Sequence, residues 1–254
     1  MFAALADGES RISNLSTGAD VQSTRACLEA CGIQIRDDGN DVIVTGGQFS
    51  DPDHPLDCGN SGTTTRLLLG LLAGQGINAT LIGDASLSSR PMNRILNPLS
   101  QMGLKCESNN GKLSMTIHKS DLIGIDYHSP VASAQVKSAL LFAGLSARGV
   151  TAIQSPGITR DHTERMLQGM GVEVNTDDSH KVSLEGPVQP RGIKVVVPGD
   201  FSSAAFFIVA GCLASEFGLL IKNVGVNPSR TGLLTILRAM GAQIDIRYNR
   251  DYSL

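Results

Sequence analysis

The sequence predicts a mixed α/β (α+β) protein made by repeating one βαβαββ unit, with apolar helices buried at the centre and sheets outside. Two interleaved series of segments carry that prediction. In the first, "STRACLEACGIQIRDD", "MNRILNPLSQMGLKCES", "HTERMLQGMGVEVNTDD" and "RTGLLTILRAMGAQIDIR" each read as an amphipathic helix that stops at a glycine and runs into an alternating strand. Those glycines, Gly32, Gly103, Gly171 and Gly241, recur about every 70 residues, and each stands where a helix C′ residue turns left-handed. In the second, "SGTTTRLLLGLLAGQGINATLIG", "SAQVKSALLFAGLSARGVTAIQS" and "SSAAFFIVAGCLASEFGLLIKNV" each read as an apolar helix, a glycine turn and a β-branched strand. The second-series helices are apolar nearly all round and belong inside; the first-series helices are two-faced and belong at the surface.

In chain order, "MFAALADGESRISNL" reads as the tail of a buried helix and then a strand, so the register expects the first unit to begin upstream of Met1. The helix ending at Gly32 and the strand "IQIRDD" follow. "DCGNSGTTTR" predicts a helix starting near Gly62, and two readings of it stand side by side. Asn60 or Ser61 caps the helix, with Gly59 in a turn, or the unpaired first-turn amides and the positive helix end form an anion cradle. In "LSSRPMNR", Pro91 suits the first helical position, which places Arg90 at a loop-to-helix junction. "HSPVASAQVKS" opens the next buried helix. "GITRDHTER" sets Arg160 at the junction corresponding to that of Arg90. In "VPGDFSSAAF", Asp200 is placed to cap the third buried helix, and "AQIDIRYNRDYSL" is expected to stop near the third strand of a fourth unit.

Composition excludes several classes. With 254 residues, a net charge of −3, no Trp and only seven Phe and three Tyr, the chain has no basic, aromatic-laced surface for nucleic acid. Cys27, Cys31, Cys58, Cys106 and Cys212 are scattered without metal-ligand spacing and read as buried free thiols of a cytoplasmic protein; no metal is expected. The N-terminus lacks a basic segment before its short apolar run, and "LLLGLLAG" is too short to span a bilayer.

Polar small residues recur at three equivalent helix starts, and Arg90 and Arg160 recur at a second register. Helix N-termini gathered on one face favour a multiply anionic ligand, and arginines beside them suit phosphate or carboxylate.

The ordered set "GNSGTTTR", "SRPMNRILNPLSQMG", "SPVASAQVKSALLFAGL", "TRDHTERML" and "VPGDFSSAAFF" resembles the 5-enolpyruvylshikimate-3-phosphate synthase family over essentially the whole chain. That resemblance implies an inside-out barrel of the enolpyruvyl transferase kind. Two similar globules of three units each would close over substrate. Residues 1–198 would form most of one globule, its first unit incomplete, and 199–254 would begin the other. It also implies transfer of the enolpyruvyl group of phosphoenolpyruvate to the 5-hydroxyl of shikimate 3-phosphate, with release of phosphate and no metal or organic cofactor.

Carried over residue by residue, Asn60, Gly62, Arg90 and Gln135 would hold phosphoenolpyruvate, with Gly62 where the inhibitor glyphosate fits closely in sensitive members. Ser133, Ala134, Gln135 and Arg160 would hold shikimate 3-phosphate, although Thr159 replaces the family's usual Ser. The family's "DKSISHR" segment, with its catalytic lysine, would precede Met1, and its catalytic Asp and Glu would follow Leu254. No acid or base is therefore named in this chain, which is expected not to turn over alone. His162 reads as a helix-start structural residue, with a catalytic base as the alternative; Asp161 and Glu164 are expected to support the Arg160 loop and the N-terminal end of its helix, while Lys137 either neutralises substrate charge or is ion-paired or solvated. The alternatives are a transferase acting on UDP-N-acetylglucosamine, against which "GDASLSSRP" lacks the expected cysteine, and a non-catalytic or split-enzyme half completed by a C-terminal polypeptide.

Overall fold

The computed structural model describes residues 1–214 and 217–248. The chain divides into two compact units, Met1–Val195 and Val196–Leu254.

In the larger unit three sheets of four strands form in succession. The first segment runs through α1 (Phe2–Leu5), β1 (Glu9–Ser13), α2 (Ala19–Ala30), β2 (Gln34–Asp38) and β3 (Asp41–Thr45). The second comprises β4 (Leu56–Asp57), α3 (Gly62–Gln75), β5 (Ala79–Ile82), α4 (Ala85–Ser89), α5 (Asn93–Gln101), β6 (Lys105–Asn109) and β7 (Lys112–His118). The third comprises β8 (Asp126–His128), α6 (Ala134–Gly144), β9 (Gly149–Gln154), α7 (His162–Gly169), β10 (Asn175–Thr176) and β11 (Lys181–Gly186). The second and third sheets have the same order, β4-β5-β7-β6 and β8-β9-β11-β10, each with one parallel pair, β4 with β5 and β8 with β9.

The first sheet reaches that order by a different route. Its strands run β12-β1-β3-β2, where β12 (Lys194–Val196) comes from far along the chain. The residues leading into β12 are tied to the N-terminus: Arg11 N–H donates to the Ile193 carbonyl at 2.9 Å, Asp7 N–H to that of Pro190 at 2.7 Å, and Gln189 Nε2 to that of Leu5 at 2.7 Å. The register left the first unit short of its opening strand, and a later segment stands in that place.

All four first-series glycines are left-handed, with φ of +88° at Gly32, +110° at Gly103, +82° at Gly171 and +97° at Gly241. Each closes a Schellman motif. After α2, for example, Gly32 N–H donates to Glu29 O and Ile33 N–H to Leu28 O. The residues after the first three of these glycines, Ile33, Leu104 and Val172, are buried.

The centre of the larger unit is the pair α3 and α6. Leu68, Leu69, Leu71 and Leu72 of α3, and Ala139, Leu140, Leu141 and Ala143 of α6, are fully buried. A Cβ on Gly70 would run into the Ala139 carbonyl, and one on Gly74 would come within 3.1 Å of the Phe142 carbonyl oxygen, so the two helices touch backbone to backbone. The amphipathic α5 and α7 instead bury one stripe each, Ile95, Leu96 and Leu99 in one and Leu167 in the other.

The smaller unit contains α8 (Phe201–Ala214) and α9 (Gly232–Ala239). Asp200 Oδ2 accepts from Ser203 N–H at 2.9 Å, the cap expected there. Burial of α8 was expected along its length, yet only Phe201 and Ala204 are buried, with Phe206, Phe207 and Leu213 exposed. The strands expected at "GLLIKNV" and "AQIDIR" do not form over 219–224 and 242–247; a single bridge, Gly199 with Val224, is present. Isolated extended segments lack the neighbours a sheet needs. Residues 249–254, the last of the expected fourth unit, lie outside the described residues.

Candidate anion-binding site

The site begins with the direction of two helices. Gln135, in the first turn of α6, donates to Thr63 Oγ1 at 2.9 Å and accepts from Arg66 at 3.2 Å, both near the start of α3. At the other end Gln75 of α3 reaches Ser146, just past α6, at 3.4 Å. The helices are therefore parallel, and their N-termini lie side by side. Parallel dipoles repel, and an anion placed at the shared positive end offsets that repulsion while contributing about 0.3–1 kcal/mol per helix.

Local chemistry fixes each start. Ser61 caps α3, its Oγ accepting from Thr64 N–H at 3.2 Å, while the carbonyl of Ser61 takes the Thr65 N–H. The capping reading is thus right for Ser61, and Asn60 is released for other work. Its Oδ1 accepts from Arg90 at 2.6 Å and its Nδ2 donates to Asp84 at 2.5 Å. Ser133 caps α6 in the same way, accepting from Val136 N–H at 3.4 Å, and Ala134 is the first helical residue.

Arg90 is not where Pro91 at a helix start would put it. A short helix, α4, precedes it, Arg90 is the residue closing that helix, and α5 opens only at Asn93 behind Met92. Asp84 caps α4 through Leu87 N–H at 2.7 Å; that bond, then Asn60 and Arg90, hold its carboxyl below the usual range. Arg90 consequently leans back over the α3 start, bonded to Asn60 and, at 3.1 Å, to Ser86.

Arg66 is the residue that sequence reasoning missed. It lies within hydrogen-bond reach of Gln135 and of the Gly62 carbonyl, half-buried, and burial first, then repulsion from Arg90 and Arg94, pulls its guanidinium below its ordinary range. Among the described residues none of these three arginines joins an ion pair. A signal was available: Arg66 is the only charged residue between Asp57 and Asp84. Gly62 sits beneath the cluster, and a Cβ there would lie 2.8 Å from Arg66 Nη1 and 3.4 Å from Arg90 Nη1.

Asn60, Gly62, Arg66, Arg90 and Gln135 are thus brought together. Arg160 is not bonded to them among the described residues; it stands exposed one residue before Asp161, which occupies the N-cap position of α7 without a side-chain capping bond and accepts from Arg165 at 2.7 Å. The start of α7 is tied instead to the first turns of α6, through a buried Lys137–Glu164 ion pair and a Ser138–Thr163 hydroxyl contact of 2.6 Å. Of the cysteines, Cys27, Cys31 and Cys58 are buried free thiols as expected, but Cys106 is half-buried and Cys212 exposed.

The family model for EPSP synthase (3-phosphoshikimate 1-carboxyvinyltransferase) matches residues 1–253. The chain belongs to the EPSP synthase family. Relatives named 3-phosphoshikimate 1-carboxyvinyltransferase are 49% identical over 251 residues in Geobacillus kaustophilus and 46% identical over 251 in Bacillus licheniformis. Each match takes in 97% of this chain and 58% of the relative, so the chain spans just over half the length of such EPSP synthases. An EPSP synthase structure from Acinetobacter baumannii superposes with a TM-score of 0.88 at 41% identity, covering 95% of this chain and 56% of that one. The enolpyruvyl transferase NikO from Streptomyces tendae, 19% identical with a TM-score of 0.77, shares the fold. The α/β fold of repeated units is that of EPSP synthases and enolpyruvyl transferases. Among the described residues no helix is long and apolar enough to cross a membrane.

Proposed function

We propose that this chain supplies the substrate cradle of a cytoplasmic 3-phosphoshikimate 1-carboxyvinyltransferase, which moves the enolpyruvyl group of phosphoenolpyruvate to the 5-hydroxyl of shikimate 3-phosphate and releases phosphate. The observation that carries this reading is the gathering of Asn60, Gly62, Arg66, Arg90 and Gln135 where α3 and α6 begin together. In it, the first-turn amides at Gly62 and the Arg90 and Arg66 guanidiniums hold the phosphate and carboxylate of phosphoenolpyruvate. Ser133, Ala134 and Arg160 hold the phosphate of the acceptor, and Gln135, bonded across both helix starts, lies between donor and acceptor. Fixed cationic and amide donors of this kind stabilise charge that moves from the enol ester to the departing phosphate without reorganising. On the same reading residues 1–198 form one globule and 199–254 open a second, which a complementary C-terminal polypeptide completes.

Thermal melts test the assignment. Shikimate 3-phosphate at a hundredfold excess over its Kd is expected to stabilise the chain by about 2.7 kcal/mol, with UDP-N-acetylglucosamine inert. Stabilisation by the sugar nucleotide and indifference to shikimate 3-phosphate would reverse the choice of acceptor. Extending the chain at its N-terminus with the Geobacillus relative's corresponding segment, mixing it with that relative's C-terminal remainder and following phosphate release tests the completed enzyme; silence of that mixture, with both parts folded, counts against the partner.

A further inference from the structure

Lys137 and Glu164 are each buried to more than nine-tenths, and their side chains form an ion pair. Glu164 Oε2 has no hydrogen-bond partner among the described residues, so the carboxylate is compensated by Lys137 and little else. The neighbouring pair, Ser138 with Thr163, repeats the link one residue along on both helices. Both links join first turns: Lys137 N–H donates to the Ser133 carbonyl at the α6 cap, and Glu164 is the third residue of α7. A carboxylate suits the positive end of α7, whereas an ammonium at the start of α6 is unfavourable unless neutralised. Thr159 and Asp161, the two neighbours of Arg160, line the same cavity of about 390 Å³ as Lys137 and Glu164.

Lys137, almost fully buried and already paired with a carboxylate, is not a free surface cation for substrate. We propose that Lys137 and Glu164 are positioning residues, which lock the start of α7 to the start of α6 and thereby set Arg160 at a fixed distance from Ser133 and Ala134. Among the described residues Arg160 has no side-chain brace of its own comparable to the Asn60 and Ser86 contacts of Arg90. Its reach toward an anion is set by the backbone that carries it, and the buried pair fixes that backbone. This inference rests on the reading of Ser133, Ala134 and Arg160 as the acceptor-phosphate grip.

Calorimetric titration of the 254-residue chain with shikimate 3-phosphate and with unphosphorylated shikimate yields a phosphate preference, the ratio of the two dissociation constants. In Lys137→Met/Glu164→Met, apolar side chains of similar length replace the pair. The preference is expected to fall about tenfold, the size of one well-placed charge-assisted contact, with affinity for shikimate changed less than about twofold. Adding Arg160→Ala to that variant then lowers the preference by less than about threefold more, although alone it removes most of the preference. A pair variant that keeps the full preference while only its melting temperature moves overturns the proposal and leaves the site reading standing. An unaltered chain without preference for the phosphorylated ligand overturns the site reading, and the proposal with it. Should the double variant fail to fold by circular dichroism, Ser138→Ala/Thr163→Val severs only the hydroxyl link. It is expected to lower the preference about threefold, and no change there overturns the proposal as well.

Discussion

Arg90 and Arg160 both precede the amphipathic helix of their repeat, α5 and α7, and are held by different means. Arg90 is braced at its guanidinium, by Asn60 and Ser86 at the surface, with Asp84 holding Asn60 in turn. Arg160 is carried by α7, whose first turn is fastened from below by side chains that solvent does not reach. The two repeats thus each place an arginine ahead of the amphipathic helix while holding it by different interactions. A surface brace can be lost with little harm to the fold, while a buried one cannot.

That contrast is open to direct test. The largest effect is expected from Glu164→Ala, which leaves the Lys137 ammonium buried without a partner and costs about 3–5 kcal/mol in urea unfolding. A loss below about 1 kcal/mol, no more than an exposed ion pair is worth, would make the two junctions equivalent. Gly70→Ala comes next. Its Cβ meets the Ala139 carbonyl, so α3 and α6 must part, at about 1–3 kcal/mol; an unchanged melting temperature would contradict the backbone contact. Arg90→Ala should leave stability almost unaltered and weaken phosphoenolpyruvate binding about tenfold, with shikimate 3-phosphate affected less than about twofold. Equal losses for both ligands would argue against the donor-side role. The smallest change is expected from Gly62→Ala, which nudges the mobile ends of Arg66 and Arg90: about a threefold loss of phosphoenolpyruvate affinity, less than one full contact is worth, and a stability shift within about 0.5 kcal/mol.

Much of the fold was legible because its signals are local. The four C′ glycines, the caps at Ser61 and Asp200, and the two kinds of helix face each follow from a few neighbouring residues, and the repeat multiplies the evidence for each. What escaped depends on distance along the chain. No pattern near Glu9 announces that β12 will complete the first sheet, and nothing in "SSRPMNR" reveals that a five-residue helix ends at Arg90 instead of one beginning at Pro91. Lys137 read equally well as solvated, as ion-paired or as a substrate contact, because its partner lies 27 residues away. The burial expected for α8 rested on composition alone, and burial needs surrounding elements as well as an apolar surface. Asn60, Gly62, Arg90 and Gln135, expected together through motifs, do lie together at the start of α3 and α6. Arg66 closes the motif "GNSGTTTR" but was given no role of its own, because only the facing Gln135 shows that it points into the cluster.

The bond from Gln189 to Leu5 spans 184 positions, and that from Ile193 to Ser10 spans 183. During synthesis at about 5–20 residues per second, the outer edge of β1 must wait for almost the whole larger unit to emerge from the ribosome before its lasting neighbour arrives. An open strand edge of this kind is a template for pairing with other chains. The interval between making the first strand and closing its sheet is therefore when a nascent chain is most exposed to aggregation, and when a chaperone would have the most to protect.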